Sequence, residues 1–235
     1  MLRTLSLLAL TAAAAACYPP PVLSPEGREK VVRSSANQAR YLRVAVYAGP
    51  FFGDDSRVLV ADRPAAELVL DGAPPGALPS FDRVLPPGTP LFVDGVQFPT
   101  GTAVWTRPAS TPRYQPWVVG RTAGEGRPVV MLLSARAANS QDLLAEMGRV
   151  LTADDPGPAF RALPDFQRAA IQRKEVVEGM GREAAAMAWG YPDRIVLEEP
   201  GRTEEWSWSD GRRRATFQDD RLVRFELRRA EPPRG

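Results

Sequence analysis

Hydrophobic and polar positions change their period several times along this 235-residue chain. An apolar run from Leu5 through Ala16 ends at Cys17 and falls short of the roughly 20 apolar residues that span a bilayer. From Tyr41 to about Leu133 short apolar stretches are punctuated by Gly and Pro, which is the pattern of strands. Leu42, Val44 and Val46 alternate with Arg43, Ala45 and Tyr47 and predict a first strand closed by Gly49-Pro50. The stretch Pro90 to Pro99 predicts a hairpin about Asp94-Gly95, a pair suited to the two positive φ angles of a type I′ turn. Further strands are predicted over Val58 to Ala61, Glu67 to Leu70, Thr102 to Thr106, Trp117 to Arg121 and Val129 to Leu133. Many short strands at this spacing predict a small barrel or sandwich.

The period then lengthens. Leu143, Leu144, Met147, Val150 and Leu151 share one helical face, with Ser140 placed to cap it and DDPGP at Asp154 to Pro158 placed to stop the chain. A second helix is predicted from Pro164 to about Arg173, with Phe166, Ala170 and Ile171 toward the core. Gly181 can open a short helix that Gly190 and Tyr191-Pro192 end. Strands then follow over Arg194 to Leu197, Glu204 to Trp208 and Arg212 to Gln218, the last two joined by Ser209-Asp210-Gly211. Asp219-Asp220 turns the chain into a final strand with Val223, Phe225 and Leu227 on one face. The segment from Arg28 to Arg40 is polar and only weakly helical.

Composition narrows the chemistry. The chain has no histidine and one cysteine, so histidine-based acid/base pairs, Ser-His-Asp or Cys-His nucleophile sets and His/Cys zinc sites lack their parts. Carboxylate chemistry, or a serine paired with one of the two lysines, Lys30 and Lys174, remains open. With 30 basic and 28 acidic residues the chain lacks the basic excess of a dedicated nucleic-acid binder. No cofactor, metal site or catalytic residue is predicted.

Arg3, the apolar run and the small residues before Cys17 have the three-part layout of a secretory signal. A lone cysteine directly after such a run resembles the lipidation site of bacterial lipoproteins. In that class the cysteine becomes the first mature residue and carries the acyl chains. Ala14 stands where leucine is commonest in the class, and an A-x-A site at Ala14 and Ala16 also fits ordinary cleavage before Cys17. A single acyl chain holds only marginally, and the multiply acylated cysteine that the resemblance implies meets the condition for stable anchoring. Tyr18 replaces the aspartate that marks inner-membrane retention in the class, so outer-membrane residence is expected, at its periplasmic face. Tyr18 to Gly27 is proline-rich and is expected to extend as a spacer of roughly 30 Å at about 3.1 Å per residue.

The C-terminal stretch carries a second resemblance. Gly179-Met180, the helix to Trp189, GYPD at Gly190 to Asp193, EEWSW at Glu204 to Trp208 and FQDDRLV at Phe217 to Val223 follow one another in order. This set resembles the SmpA/OmlA family, the BamE-like lipoproteins, over roughly the last quarter of the chain. Gly181 departs from the family's helix-capping threonine, and a long β-rich region precedes the module, unlike typical members. The resemblance implies a non-enzymatic accessory of the machinery that inserts β-barrel proteins into the outer membrane. A similar small fold also occurs in secreted modules that inhibit β-lactamases, so a soluble binding or inhibitor module is the alternative.

The expected organisation is a signal peptide over 1–16, a lipidated Cys17 and tether over 17–40, and a β-rich domain over 41–135. A helical connector over 136–175, a BamE-like α+β module over 176–229 and a tail over 230–235 complete it. The fold class is α+β, and the expected function is protein–protein binding in the cell envelope, in outer-membrane protein assembly or envelope integrity. Expected partners are the membrane, through the lipid anchor, and envelope proteins including the barrel-assembly machinery, with no nucleic acid.

Three clusters have ordinary structural readings. Trp206 and Trp208 share a strand face and are expected in the core. Arg212-Arg213-Arg214 is expected at a solvated hairpin edge. Adjacent acids such as Asp154-Asp155 and Asp219-Asp220 point to opposite faces in a strand and are expected in turns, and GEGR at Gly124 to Arg127 is too short for a phosphate loop.

Overall fold

The computed structural model describes residues 23–68, 78–135, 137–198 and 203–228. The expected signal peptide, Cys17, the expected strand residues 69 and 70 and the expected tail over 230–235 lie outside them. No described helix is long and apolar enough to cross a membrane.

The described chain opens with α1 (Pro25–Ser35), where the Ser24 side chain accepts from Gly27 N–H at 3.1 Å. Pro25 at the first helical position has no N–H to lose, so the proline expected to extend a spacer instead starts a helix. Leu23 and Val31 are buried in the main core, which ends the expected tether before residue 23. β1 (Gln38–Leu42), β2 (Val46–Phe51) and β3 (Asp54–Ala61) follow. Leu42, Val44 and Val46 are all buried as their alternation predicts, but the strand breaks at Arg43–Ala45. Gly49 and Pro50 lie within β2 rather than ending it, because the ladder to β3 irregularises only between Pro50 and Phe51.

Next come α2 (Ala65–Leu68), β4 (Arg83–Leu85) and β5 (Pro90–Gln97), then α3 (Thr102–Thr106), β6 (Trp117–Thr122) and β7 (Val129–Leu132). Two expected strands are helical turns instead, at Ala65–Leu68 and Thr102–Thr106. The Asp94-Gly95 hairpin is also corrected. β5 runs straight through this pair, and the extra residue is absorbed as a bulge against β6 between Val93 and Gly95. Strand order is β4-β2-β3-β7-β6-β5-β1-β8, mostly antiparallel with one parallel pair, β3 with β7. The chain runs from β1 directly into β2, so the strand near one end of this order continues as the strand near the other. The eight-stranded sheet therefore curls about a core of Leu42, Val46, Val60, Val93, Val118 and Met131.

The helices α4 (Ser140–Val150), α5 (Gly157–Ala162) and α6 (Asp165–Gln172) are separated by the two-residue strand β8 (Leu151–Thr152) after α4. Asn139 rather than Ser140 caps α4, accepting from Gln141 N–H at 2.8 Å and Asp142 N–H at 3.0 Å. Leu143, Met147 and Val150 are buried on its inner face, while Leu151 reaches the core from β8. On α6 Ala170 and Ile171 are buried but Phe166 is exposed.

α7 (Arg182–Trp189) then leads into β9 (Arg194–Glu198), β10 (Thr203–Trp208), β11 (Arg213–Gln218) and β12 (Arg221–Leu227). These strands form a four-stranded antiparallel meander in sequence order. α7 is alanine-rich, so its backbone can approach closely; Ala184, Ala185, Ala186 and Ala188 are all buried. Trp206, Trp208, Ala215 and Phe217 face it in one cluster, as expected for the two tryptophans. On β12 Leu222 is the buried residue, while Val223, Phe225 and Leu227, expected on one face, are substantially exposed, and the ladder to β11 irregularises between Thr216 and Phe217.

The candidate cleft between the two sheets

The curled sheet and the C-terminal meander meet at a cleft of about 650 Å³. Each wall comes from a different part of the sequence. β2 supplies Tyr47, the turn after β3 leads through Pro64 to Glu67 on α2, and the α6–α7 link supplies Arg173 to Val177. α7 ends there with Trp189, and the last hairpin contributes Arg212, Arg213, Phe225, Leu227 and Arg228.

Arg213 is at the centre of the polar network. Its Nη2 lies 3.0 Å from a Glu67 carboxylate oxygen, and both side chains are more than nine-tenths buried. Its Nη1 donates to the Trp189 carbonyl at 3.1 Å, and its guanidinium lies 5.6 Å and 5.8 Å from the ring centres of Trp189 and Trp208. The Ser209 hydroxyl donates to the same Glu67 oxygen. The arginine run expected at a solvated edge is therefore corrected at its middle residue. Period two places Arg213 on the face of Ala215 and Phe217, opposite Trp208 on β10, so it must be buried if they are. That register was the available signal.

Lys174 is also buried, and it sits at a positive φ of 58°. Its Nζ donates to the carbonyls of Ala45 at 2.7 Å and Asp62 at 2.8 Å and lies 5.3 Å from the Tyr47 ring centre. Burial lowers its pKa to about 7, and the nearby Asp62 charge opposes the shift. Burial pushes Asp62 the other way, but Arg63, Lys174, Arg149 and Arg213 outweigh it and hold the carboxyl below its ordinary value. Burial also raises Tyr47, with Arg213 working against it.

These bonds fasten the two sheets together. Ala45 N–H donates to the Met187 carbonyl at 2.7 Å, joining the curled sheet to α7, while within the C-terminal unit Trp208 Nε1 donates to the Gly190 carbonyl at 3.0 Å. Arg149 on α4 reaches Asp193 at 2.8 Å and also bonds the Tyr191 carbonyl. Arg43 lies 4.2 Å from the Tyr191 ring centre.

Of the two lysines left open for a serine pairing, Lys174 bonds two carbonyls in the cleft, and Lys30 is exposed on α1. Two carboxylates do enter the cleft, and each is engaged by a guanidinium: Glu67 by Arg213 and Glu175 by Arg173 at 2.8 Å. Among the described residues no group of three or more acids, cysteines or histidines could hold a metal. Asp219 and Asp220 occupy the tight turn expected of them, both at positive φ. Comparison with protein families, with curated proteins and with solved structures found no match to this chain.

Proposed function

We propose that this chain is a non-enzymatic envelope lipoprotein, anchored through Cys17 at the periplasmic face of the outer membrane, that binds other envelope proteins through a BamE-like C-terminal module. The observation that carries the binding role is the outer edge of the meander. Ile195 and Leu197 on β9 are 52% and 69% exposed, on a strand with no neighbour on its far side among the described residues. An apolar edge of this kind invites another chain to pair with it, and most proteins blunt such edges with charge or proline. β9 pairs with β10 over five residues without a bulge, so its free backbone groups are in register for an extended segment of a partner. The leader, the lone cysteine and the ordered GM, GYPD and EEWSW motifs support the envelope setting and the likeness to the barrel-assembly accessory.

Two measurements test this reading. Fatty-acid labelling and membrane fractionation of Cys17→Ala should show loss of label and release from membranes; unchanged labelling defeats the anchor. Affinity capture of the native chain from envelope extract should recover barrel-assembly proteins, and Ile195→Glu/Leu197→Glu should lose them. Capture lacking those proteins defeats the assembly role, and appearance of the native chain in soluble periplasm favours the secreted binder.

A further inference from the structure

We infer that the cleft between the two sheets is a binding site for a small carboxylate with a single apolar tail, of fatty-acid size. Its volume of about 650 Å³ lies within the usual range of small-molecule sites, and it sits at a junction of two β units, where such sites concentrate. The walls are amphiphilic in an ordered way. Val176, Val177, Trp189, Phe225 and Leu227 provide apolar surface, with Leu227 64% exposed despite facing a concavity. Apolar surface left open in a cavity gains free energy when a tail displaces the water over it.

The charges give the head its sign. The two carboxylates of the cleft are already matched to Arg213 and Arg173, and Lys174 is bonded to two carbonyls. Arg212 and Arg228 remain, with no acidic partner among the described residues. They are opposed where β11 and β12 open, Arg228 N–H donating to the Arg212 carbonyl at 2.7 Å one step beyond the Arg213–Leu227 pair. That sets them at the rim of the cleft rather than on the face that carries Phe225 and Leu227. Like charges in facing cross-strand positions destabilise a hairpin, and one anion shared between them relieves that repulsion. A planar carboxylate suits guanidinium donors. The head therefore lies at the rim, between Arg212 and Arg228, with the tail running inward against Trp189, Phe225 and Leu227.

The test titrates the full chain with dodecanoate, dodecanol and acetate below their aggregation range, by calorimetry and tryptophan emission. Dodecanoate should bind saturably and at least about tenfold tighter than dodecanol, the effect expected of a charge-assisted contact, while acetate should not bind measurably. Arg212→Gln/Arg228→Gln should bring dodecanoate down to the dodecanol affinity and leave dodecanol unchanged. Both side chains reach solvent, so this variant should fold, and a circular dichroism spectrum matching the native chain confirms it. Equal binding of the two tails, no saturable dodecanoate binding, or a preference that survives the double substitution overturns the proposal.

Discussion

Glu67 and Arg213 are 146 residues apart and meet at 3.0 Å with both side chains more than nine-tenths buried. One belongs to a short helix after β3 and the other opens β11, so their ion pair joins the curled sheet to the meander. Removing one partner of a buried pair leaves the other charge without compensation and costs about 3–5 kcal/mol, whereas replacing both can be nearly neutral. Arg213→Met is therefore expected to destabilise the chain strongly in urea unfolding, and Glu67→Leu/Arg213→Met to recover much of the loss. A double variant as unstable as the single one would show that hydrogen bonds from Ser209 and to Trp189, not charge matching, dominate there.

Lys174 supplies a pH signature. Its pKa falls from 10.5 to about 7 on folding, so the unfolded chain holds the proton more tightly across that window. Stability then rises with pH between about 7 and 10 and is flat with respect to this group below 7. The urea midpoint of the native chain should climb from pH 7 to 9.5. Lys174→Met should lower the midpoint overall, leaving the Ala45 and Asp62 carbonyls unmet, and remove the slope. Asp62 acts in acid: its pKa is depressed, so the stability it contributes is present above its ordinary 3.8 and is lost as pH falls through the lower folded value.

Gly190 ends α7 at φ 86° and ψ 175°, a backbone region nearly closed to residues with a Cβ. Space is not the obstacle, because an added Cβ would sit 3.5 Å from the Asp62 carboxylate, an ordinary contact. Gly190→Ala should thus cost about 1–3 kcal/mol from backbone strain alone. Differential scanning calorimetry would show it as a lowered melting temperature with the cleft still formed.

At Gly49 the obstacle is contact instead. A Cβ there would lie 2.1 Å from the Ser80 carbonyl oxygen and 2.9 Å from Phe81 Cα, both backbone atoms that cannot swing aside. Gly49→Ala should separate β2 from the segment leading into β4, with a larger penalty than Gly190→Ala. Hydrogen exchange should report this as faster exchange at Asp82, whose N–H donates to the Ala48 carbonyl.

The C-terminal meander was the most legible part of the sequence, because its turns are local: Ser209, Asp210, Gly211, Asp219 and Asp220 all adopt positive φ where turn chemistry called for it. The curled sheet was harder to read. Asp94-Gly95 has the composition of a hairpin, but β6 pairs with β5 on both sides of it, from Leu91 to Val93 and from Gly95 to Gln97, and holds the strand through it. Thr102–Thr106 has strand-forming residues, yet it closes as a helical turn, with Arg107 N–H donating to the Ala103 carbonyl at its end. The cleft could not be assembled from sequence, since Tyr47, Glu67, Lys174 and Arg213 come from four distant segments. Only the position of Arg213 was recoverable, from its alternation with Ala215 and Phe217.

The burial of Leu23 sets the reach of any anchor at Cys17. Six residue steps separate the two, which even fully drawn out cover only about 20 Å. A chain tied to a bilayer on so short a lead would ride against the headgroups, its Leu23 end turned toward them. Partners would then have to be membrane-bound or come down to the bilayer surface, and any gap to structures farther away would have to be bridged from their side.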